Sequence, residues 1–87
     1  MVLTKRQNDI LFFLCGQREY VTIKQLALRF DVSGRTIQND LAFIGSFLSG
    51  SKAVIDKKSG KGIRINVDEP EIYNLRRELD SLNNRAL

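Results

Sequence analysis

The sequence predicts a small, mainly helical α+β domain: three helices, an antiparallel hairpin, and one more helix at the C-terminal end. Three observations carry this expectation. Apolar residues recur at helical spacing as far as Leu48, alternate in and out between Ala53 and Val67, and return to helical spacing after Pro70. Two Thr-x-x-Gln boxes and one serine stand where the first three helices should begin. The 87 residues, 43% hydrophobic and 28% charged, suffice for one compact core but not for two.

Each element follows from its residues. Thr4-Lys5-Arg6-Gln7 reads as a capping box, and Ile10, Leu11 and Leu14 behind it form one buried face. Gly16 is expected to close this helix in a left-handed cap. Tyr20-Val21 leaves room for one brief strand. A second box, Thr22-Ile23-Lys24-Gln25, opens the next helix, whose inward stripe is Ile23, Leu26, Ala27 and Phe30. Phe12 and Leu28 fall off these stripes and are expected at the surface. Asp31-Val32 makes a tight turn and Ser33 caps a third helix with Ile37, Leu41, Ile44 and Leu48 inward. Gly45 weakens that helix, and Gly50-Ser51 ends it. Two helices joined by so short a turn, the second capped by serine, are the signature of a helix-turn-helix.

After Ser51 the period becomes two. Ala53 and Ile55 should face inward on one strand, and Ile63, Ile65 and Val67 on the next. Between them Lys57-Lys58-Ser59-Gly60-Lys61-Gly62 is expected as a lysine-bearing hairpin tip. Asp68-Glu69-Pro70 suits a helix start, and Ile72, Leu75, Leu79 and Leu82, continued by Ala86, form an amphipathic stripe. Residues 1–67 therefore read as a winged helix-turn-helix. Residues 68–87 read as a helix or linker whose stripe docks on its own domain, pairs with a second copy, or leads to a regulatory domain.

Composition narrows the function. The chain has no histidine, which removes histidine general bases, Ser-His-Asp triads and histidine metal ligands. The lone Cys15 sits in an apolar helix stretch, reads as a core residue, and cannot form an internal disulfide, as suits a reducing compartment. No secretory leader or membrane span is visible, so the cytoplasm is expected. No enzyme activity, metal or cofactor is expected. The net charge is +4, but it is unevenly placed: residues 1–66 carry +6 and the remainder −2. The first three quarters therefore have the balance of a phosphate-binding surface.

Double-stranded DNA is the partner these residues fit. With Ile37 and Leu41 turned inward, Arg35, Thr36, Gln38 and Asn39 face out from the third helix. Arginine pairs bidentately with guanine, and Gln and Asn suit adenine. Ser33 and Gly34 form the first turn, where a helix N-terminus favours a phosphate and glycine permits close approach. Lys57, Lys58, Ser59, Gly60 and Lys61 form the wing, which supplies backbone contacts rather than base reading. Thr22 and Lys24 are expected at the DNA backbone where the second helix starts. A winged helix serving as a protein-interaction or RNA-binding module is the alternative, needing neither Arg35 nor the wing lysines at a nucleic-acid surface.

Three runs carry a family resemblance: Val21-Thr22-Ile23-Lys24-Gln25-Leu26-Ala27, then Val32-Ser33-x-Arg35-Thr36-Ile37-x-x-Asp40-Leu41, then Gly60-Lys61-Gly62-Ile63. Over about residues 3–67 the chain resembles the DeoR-like winged helix at the N-terminus of bacterial carbohydrate-operon regulators that carry PTS-regulation domains. The resemblance implies operator binding by this module, with control by downstream domains phosphorylated by the sugar phosphotransferase system. Gln38 and Asn39 stand where the family often has basic residues, which implies a different operator. Gly34 and Gly45 replace ordinary helix formers.

Overall fold

The first helix starts where its capping box places it. In the computed structural model, which describes residues 2–67 together with Asn74 and Arg77, the Thr4 hydroxyl accepts from the Gln7 amide, and the Gln7 side chain accepts from the Thr4 amide. Helix α1 then runs Lys5–Cys15. The same reciprocal pair between Thr22 and Gln25 opens α2, Ile23–Phe30, and the Ser33 hydroxyl accepts from the Thr36 amide to open α3, Gly34–Phe47. Each cap satisfies backbone donors that the first helical turn leaves free.

The turn between α2 and α3 depends on Asp31, which is left-handed (φ 56°) and closes α2 through its amide to the Ala27 carbonyl. Aspartate tolerates this conformation better than most side chains. Val32 also donates to the Ala27 carbonyl, and Ser33 returns the chain to extended geometry before α3.

Two strands follow, β1 (Val54–Lys58) and β2 (Gly62–Asn66), paired antiparallel with Ile55 opposite Ile65 and Lys58 opposite Gly62. The ladder reaches further toward the tip than the sequence suggested. Lys57 and Lys58 belong to β1, and the tip is only Ser59, Gly60 and Lys61. Lys61 donates to the Lys58 carbonyl across it, with Gly60 at φ 80°, the value that a type II turn requires at its third residue.

A two-stranded hairpin is marginal by itself. This one docks on the helices. Val21 and Ile63 exchange backbone hydrogen bonds of 2.7 and 2.8 Å, so the expected strand at Tyr20-Val21 is a single bridge that adds a third, one-residue rung to the sheet. Gly62 makes the approach possible: it has φ 113°, and a Cβ there would lie 2.3 Å from the Val21 carbonyl oxygen.

The core lies between the helices and the inner face of the hairpin. It contains Ile10, Leu11 and Leu14 of α1, Leu26 of α2, Ile37, Leu41, Ile44 and Leu48 of the α3 region, and Ala53, Ile63 and Ile65 of the wing. Burying a side chain of the Leu or Ile class contributes about 1.5–3 kcal/mol, so this cluster dominates the stability. Cys15 is buried with it, and Ile55 and Val67 pack at its edge.

Two expectations need correction. Gly16 is right-handed (φ −88°, ψ −3°), its amide bonding to the Phe13 and Leu14 carbonyls so that the last turn closes without a left-handed residue. Phe12 is half-buried against the core, whereas Leu28 is 74% exposed. The stripe rule placed Phe12 outside because it ignored a ring's reach across the side of its helix. The helix and apolar stripe expected over residues 68–87 lie outside the described residues, apart from Asn74 and Arg77, which are helical and exposed.

Candidate nucleic-acid interface

Helix α3 is held in place by a buried carboxylate. Asp40 is only 3% exposed, and its oxygens accept from Arg6 Nε (2.6 Å) and Nη2 (3.2 Å) and from Gln7 Nε2 (3.1 Å). The Arg6 hydrogen bond holds the Asp40 carboxyl below the usual carboxylate range; burial opposes this, and the Gln7 bond and the Arg6 charge reinforce it. The same contact raises the Arg6 guanidinium. Two consecutive residues of the first turn of α1 thus grip the middle of α3. Gln7 does double duty, because it also closes the Thr4 capping box.

With Ile37, Asp40, Leu41 and Ile44 inward, α3 presents Arg35, Gln38 and Asn39 to solvent. Thr36 is half-buried; the Ser33 hydroxyl donates to its Oγ1 at 3.0 Å. Ser33 is therefore committed to the cap on both sides, as donor to Oγ1 and as acceptor from the Thr36 amide. Gly34 is half-buried, and a Cβ there would lie 3.4 Å from Ile23 Cγ2, so the space left by the missing side chain is directed toward α2.

The fold gathers residues from three segments around one open cleft of about 660 Å³. Thr22 and Ile23 at the start of α2, Gln38 and Leu41 of α3, and Lys57 through Ile63 of the wing line it. The expected Thr22, Gln38, Lys57, Lys58, Ser59, Gly60 and Lys61 thus share one surface. Lys24, Arg35 and Asn39 are exposed but do not line this cleft. Ion pairs among the described residues join Lys5 to Asp9 and Arg6 to Asp40, so Lys24, Arg35, Lys57 and Lys61 have no carboxylate partner there. Unpaired cations beside amide donors and acceptors make a surface suited to a polyanion with readable edges.

Sequence reasoning missed the residues at the wing's outer face. The Tyr20 hydroxyl donates to Asp56 Oδ2, the Arg64 guanidinium lies 5.8 Å from the Tyr20 ring centroid, and Lys58 Nζ lies 6.0 Å from it. The Asp56 hydrogen bond raises the Tyr20 phenol, and burial adds to the effect. Pairing in the ladder sets Asp56 opposite Arg64 and brings Lys58, expected in the hairpin tip, onto the same face, and nothing local in the sequence pointed to Tyr20 as their shared partner.

A turn-linked helix pair with an exposed second helix, followed by a basic hairpin docked through its inner face, defines a winged helix-turn-helix domain. The chain belongs to the HTH domain family, whose pattern it matches over residues 6–64. It is 29% identical over 72 residues to the probable licABCH operon regulator of Bacillus subtilis (strain 168), which covers 83% of this chain. It is 32% identical over 71 residues to the transcriptional regulator ManR of the same organism, covering 79% of this chain. The chain spans 11% of the length of each of these relatives.

Proposed function

We propose that this domain reads operator DNA for a bacterial transcription regulator that controls a carbohydrate uptake or utilisation operon. The observation that carries the reading is the shared cleft, in which wing lysines face Thr22 and Gln38 next to an exposed α3 surface. Helix α3 enters the major groove, where Arg35, Gln38 and Asn39 meet base edges. Ser33, Gly34 and Thr36 bring its first turn to the phosphates. Lys57, Lys58 and Lys61, with Ser59 and Gly60 shaping the tip, lie along the backbone, as do Thr22 and Lys24.

The names of the two regulators support the transcriptional role, and the family resemblance of the sequence supports the carbohydrate link. The domain carries out no chemistry of its own and needs no cofactor. No helix among the described residues is long and apolar enough to cross a membrane, and the cytoplasm is the compartment proposed. Regulation comes from further domains phosphorylated by the sugar phosphotransferase system, toward which residues 68–87 lead. A two-fold pair of such domains on palindromic half-sites supplies the length of sequence that one domain cannot read alone.

The test compares a site selected from random duplexes with unselected duplex. Arg35→Ala should weaken binding to the selected site by ~1–3 kcal/mol and relax its sequence preference, with folding unchanged. Equal losses on both duplexes would reduce Arg35 to a phosphate contact. An unmodified chain that shows no salt-dependent binding to either would sink the whole reading.

A further inference from the structure

Arg64 and Asp56 stand directly opposite each other on β2 and β1. Opposite charges in that relation ordinarily pair. Here they do not: Asp56 accepts from the Tyr20 hydroxyl, and no ion pair joins it to Arg64. The Arg64 guanidinium instead lies over the Tyr20 ring, with Lys58 at a similar distance. Arg64 Nε is buried without a hydrogen-bond partner, and the guanidinium carbon lies 5.8 Å from the ring centroid. Tyr20 is placed for this by its neighbour. The Val21–Ile63 bridge turns Val21 into the core, and strand alternation turns Tyr20 to the outer face, where Asp56, Lys58 and Arg64 already lie.

The geometry points to Tyr20 as the positioning residue of the wing: its hydroxyl turns the Asp56 carboxylate toward itself while its ring carries Arg64 and Lys58, leaving both cations without a carboxylate partner among the described residues and open to the DNA backbone. This rests on the DNA-binding reading above and adds Arg64 to the phosphate contacts. A cation held on an aromatic face keeps its full charge toward an approaching phosphate, whereas one paired with a carboxylate releases no counterion when it binds. The ring also holds both side chains in place before DNA arrives, which lowers the ordering cost of contact.

The experiment is a titration of random-sequence duplex, followed by fluorescence anisotropy between ~50 and ~200 mM salt. Tyr20→Phe keeps the ring but releases Asp56, which then pairs with Arg64. The slope of log K against log salt should flatten by about 1, and low-salt affinity should fall about tenfold. In Tyr20→Phe/Asp56→Asn, which has no carboxylate to capture the cation, the slope should return to that of the unmodified chain. Asp56→Asn alone should leave the slope unchanged, and Arg64→Gln should flatten it by about 1.

The rescue separates this role from a merely structural one, since removing a second group would not repair a misfolded wing. An unchanged slope in Tyr20→Phe, a double variant as flat as the single one, or a flattened slope in Asp56→Asn would each overturn the inference. Should Tyr20→Phe fail to fold, the Asp56→Asn and Arg64→Gln slopes decide. An unmodified chain with no salt-dependent binding would instead remove the DNA-binding reading, and this inference with it.

Discussion

Gly62→Ala tests whether the wing is held by its backbone contact with Val21. The added Cβ would lie 2.3 Å from the Val21 oxygen, 2.6 Å from its carbonyl carbon and 2.9 Å from the Thr22 nitrogen. All three are backbone atoms, so no rotamer change relieves the clash. The segment must move away, which breaks the two hydrogen bonds between Val21 and Ile63. At about 1 kcal/mol net for each, that is about 2 kcal/mol. Holding alanine in the left-handed region costs about 1–2 kcal/mol more. The sum, about 3–4 kcal/mol, is a large share of the stability of a domain this size. Urea unfolding should show that loss, the melting temperature should fall by roughly 15–25 °C, and amide exchange at Val21 and Ile63 should lose its protection. Gly60→Ala is the control, with φ 80° and nothing within 4 Å of its Cβ, and should cost only the left-handed penalty of about 1–2 kcal/mol. If Gly62→Ala costs no more than Gly60→Ala while Val21 and Ile63 stay protected, the bridge does not hold the wing.

Three further outcomes follow from the geometry. Asp40 titrates below its ordinary value in the folded state, so its stabilisation is fully present above about pH 4, the unfolded value, and disappears as pH falls through the folded one. Asp40→Asn should therefore cost about 2 kcal/mol at neutral pH, and the gap in melting temperature from the unmodified chain should close toward pH 2; a gap that stays constant would show that ionisation of Asp40 is irrelevant. Replacing Lys57, Lys58 and Lys61 with Gln should weaken binding to every duplex alike and flatten the salt slope by ~1 for each phosphate that is no longer neutralised, whereas an unchanged slope would place the wing away from the backbone. Gly45→Ala fills an exposed helix position whose nearest neighbour, Ile55 Cδ1, lies at an ordinary 3.9 Å; it should raise stability by up to about 1 kcal/mol in thermal melts, and a decrease would reveal a steric demand at that position.

What could be read from the sequence was what depends on near neighbours. The three caps, the stripes of α1 to α3 and the alternation of the hairpin involve residues at most a few positions apart, and all stand where the periods placed them. The interactions that orient α3 and the wing are of another kind. Arg6 and Gln7 reach Asp40 across 34 and 33 positions, and Tyr20 reaches Asp56 across 36. No local pattern reports such a pairing, so Asp40 appeared only as part of a family motif and Tyr20 only as a β-prone residue. Gly16 shows the limit of residue type: glycine permits a left-handed cap, but its amide bonds to Phe13 and Leu14 in right-handed geometry instead. Of the interface, the segments and their side chains were legible, while their convergence on one cleft was a property of the tertiary structure.

The bridge between Val21 and Ile63 closes a loop of about forty residues, whereas the contacts that build each helix and the α2–α3 turn are local. Chain segments so far apart meet late in folding, because the entropy of closing the loop is spent before the contact repays it. The hairpin joins the start of α2 through that one pair of hydrogen bonds and enters the core through Ala53, Ile63 and Ile65. Releasing it uncovers those three side chains together with the bridge, so it opens as one unit. An opening that lifts it from Val21 would leave the caps of α2 and α3 in place, since their hydrogen bonds are local.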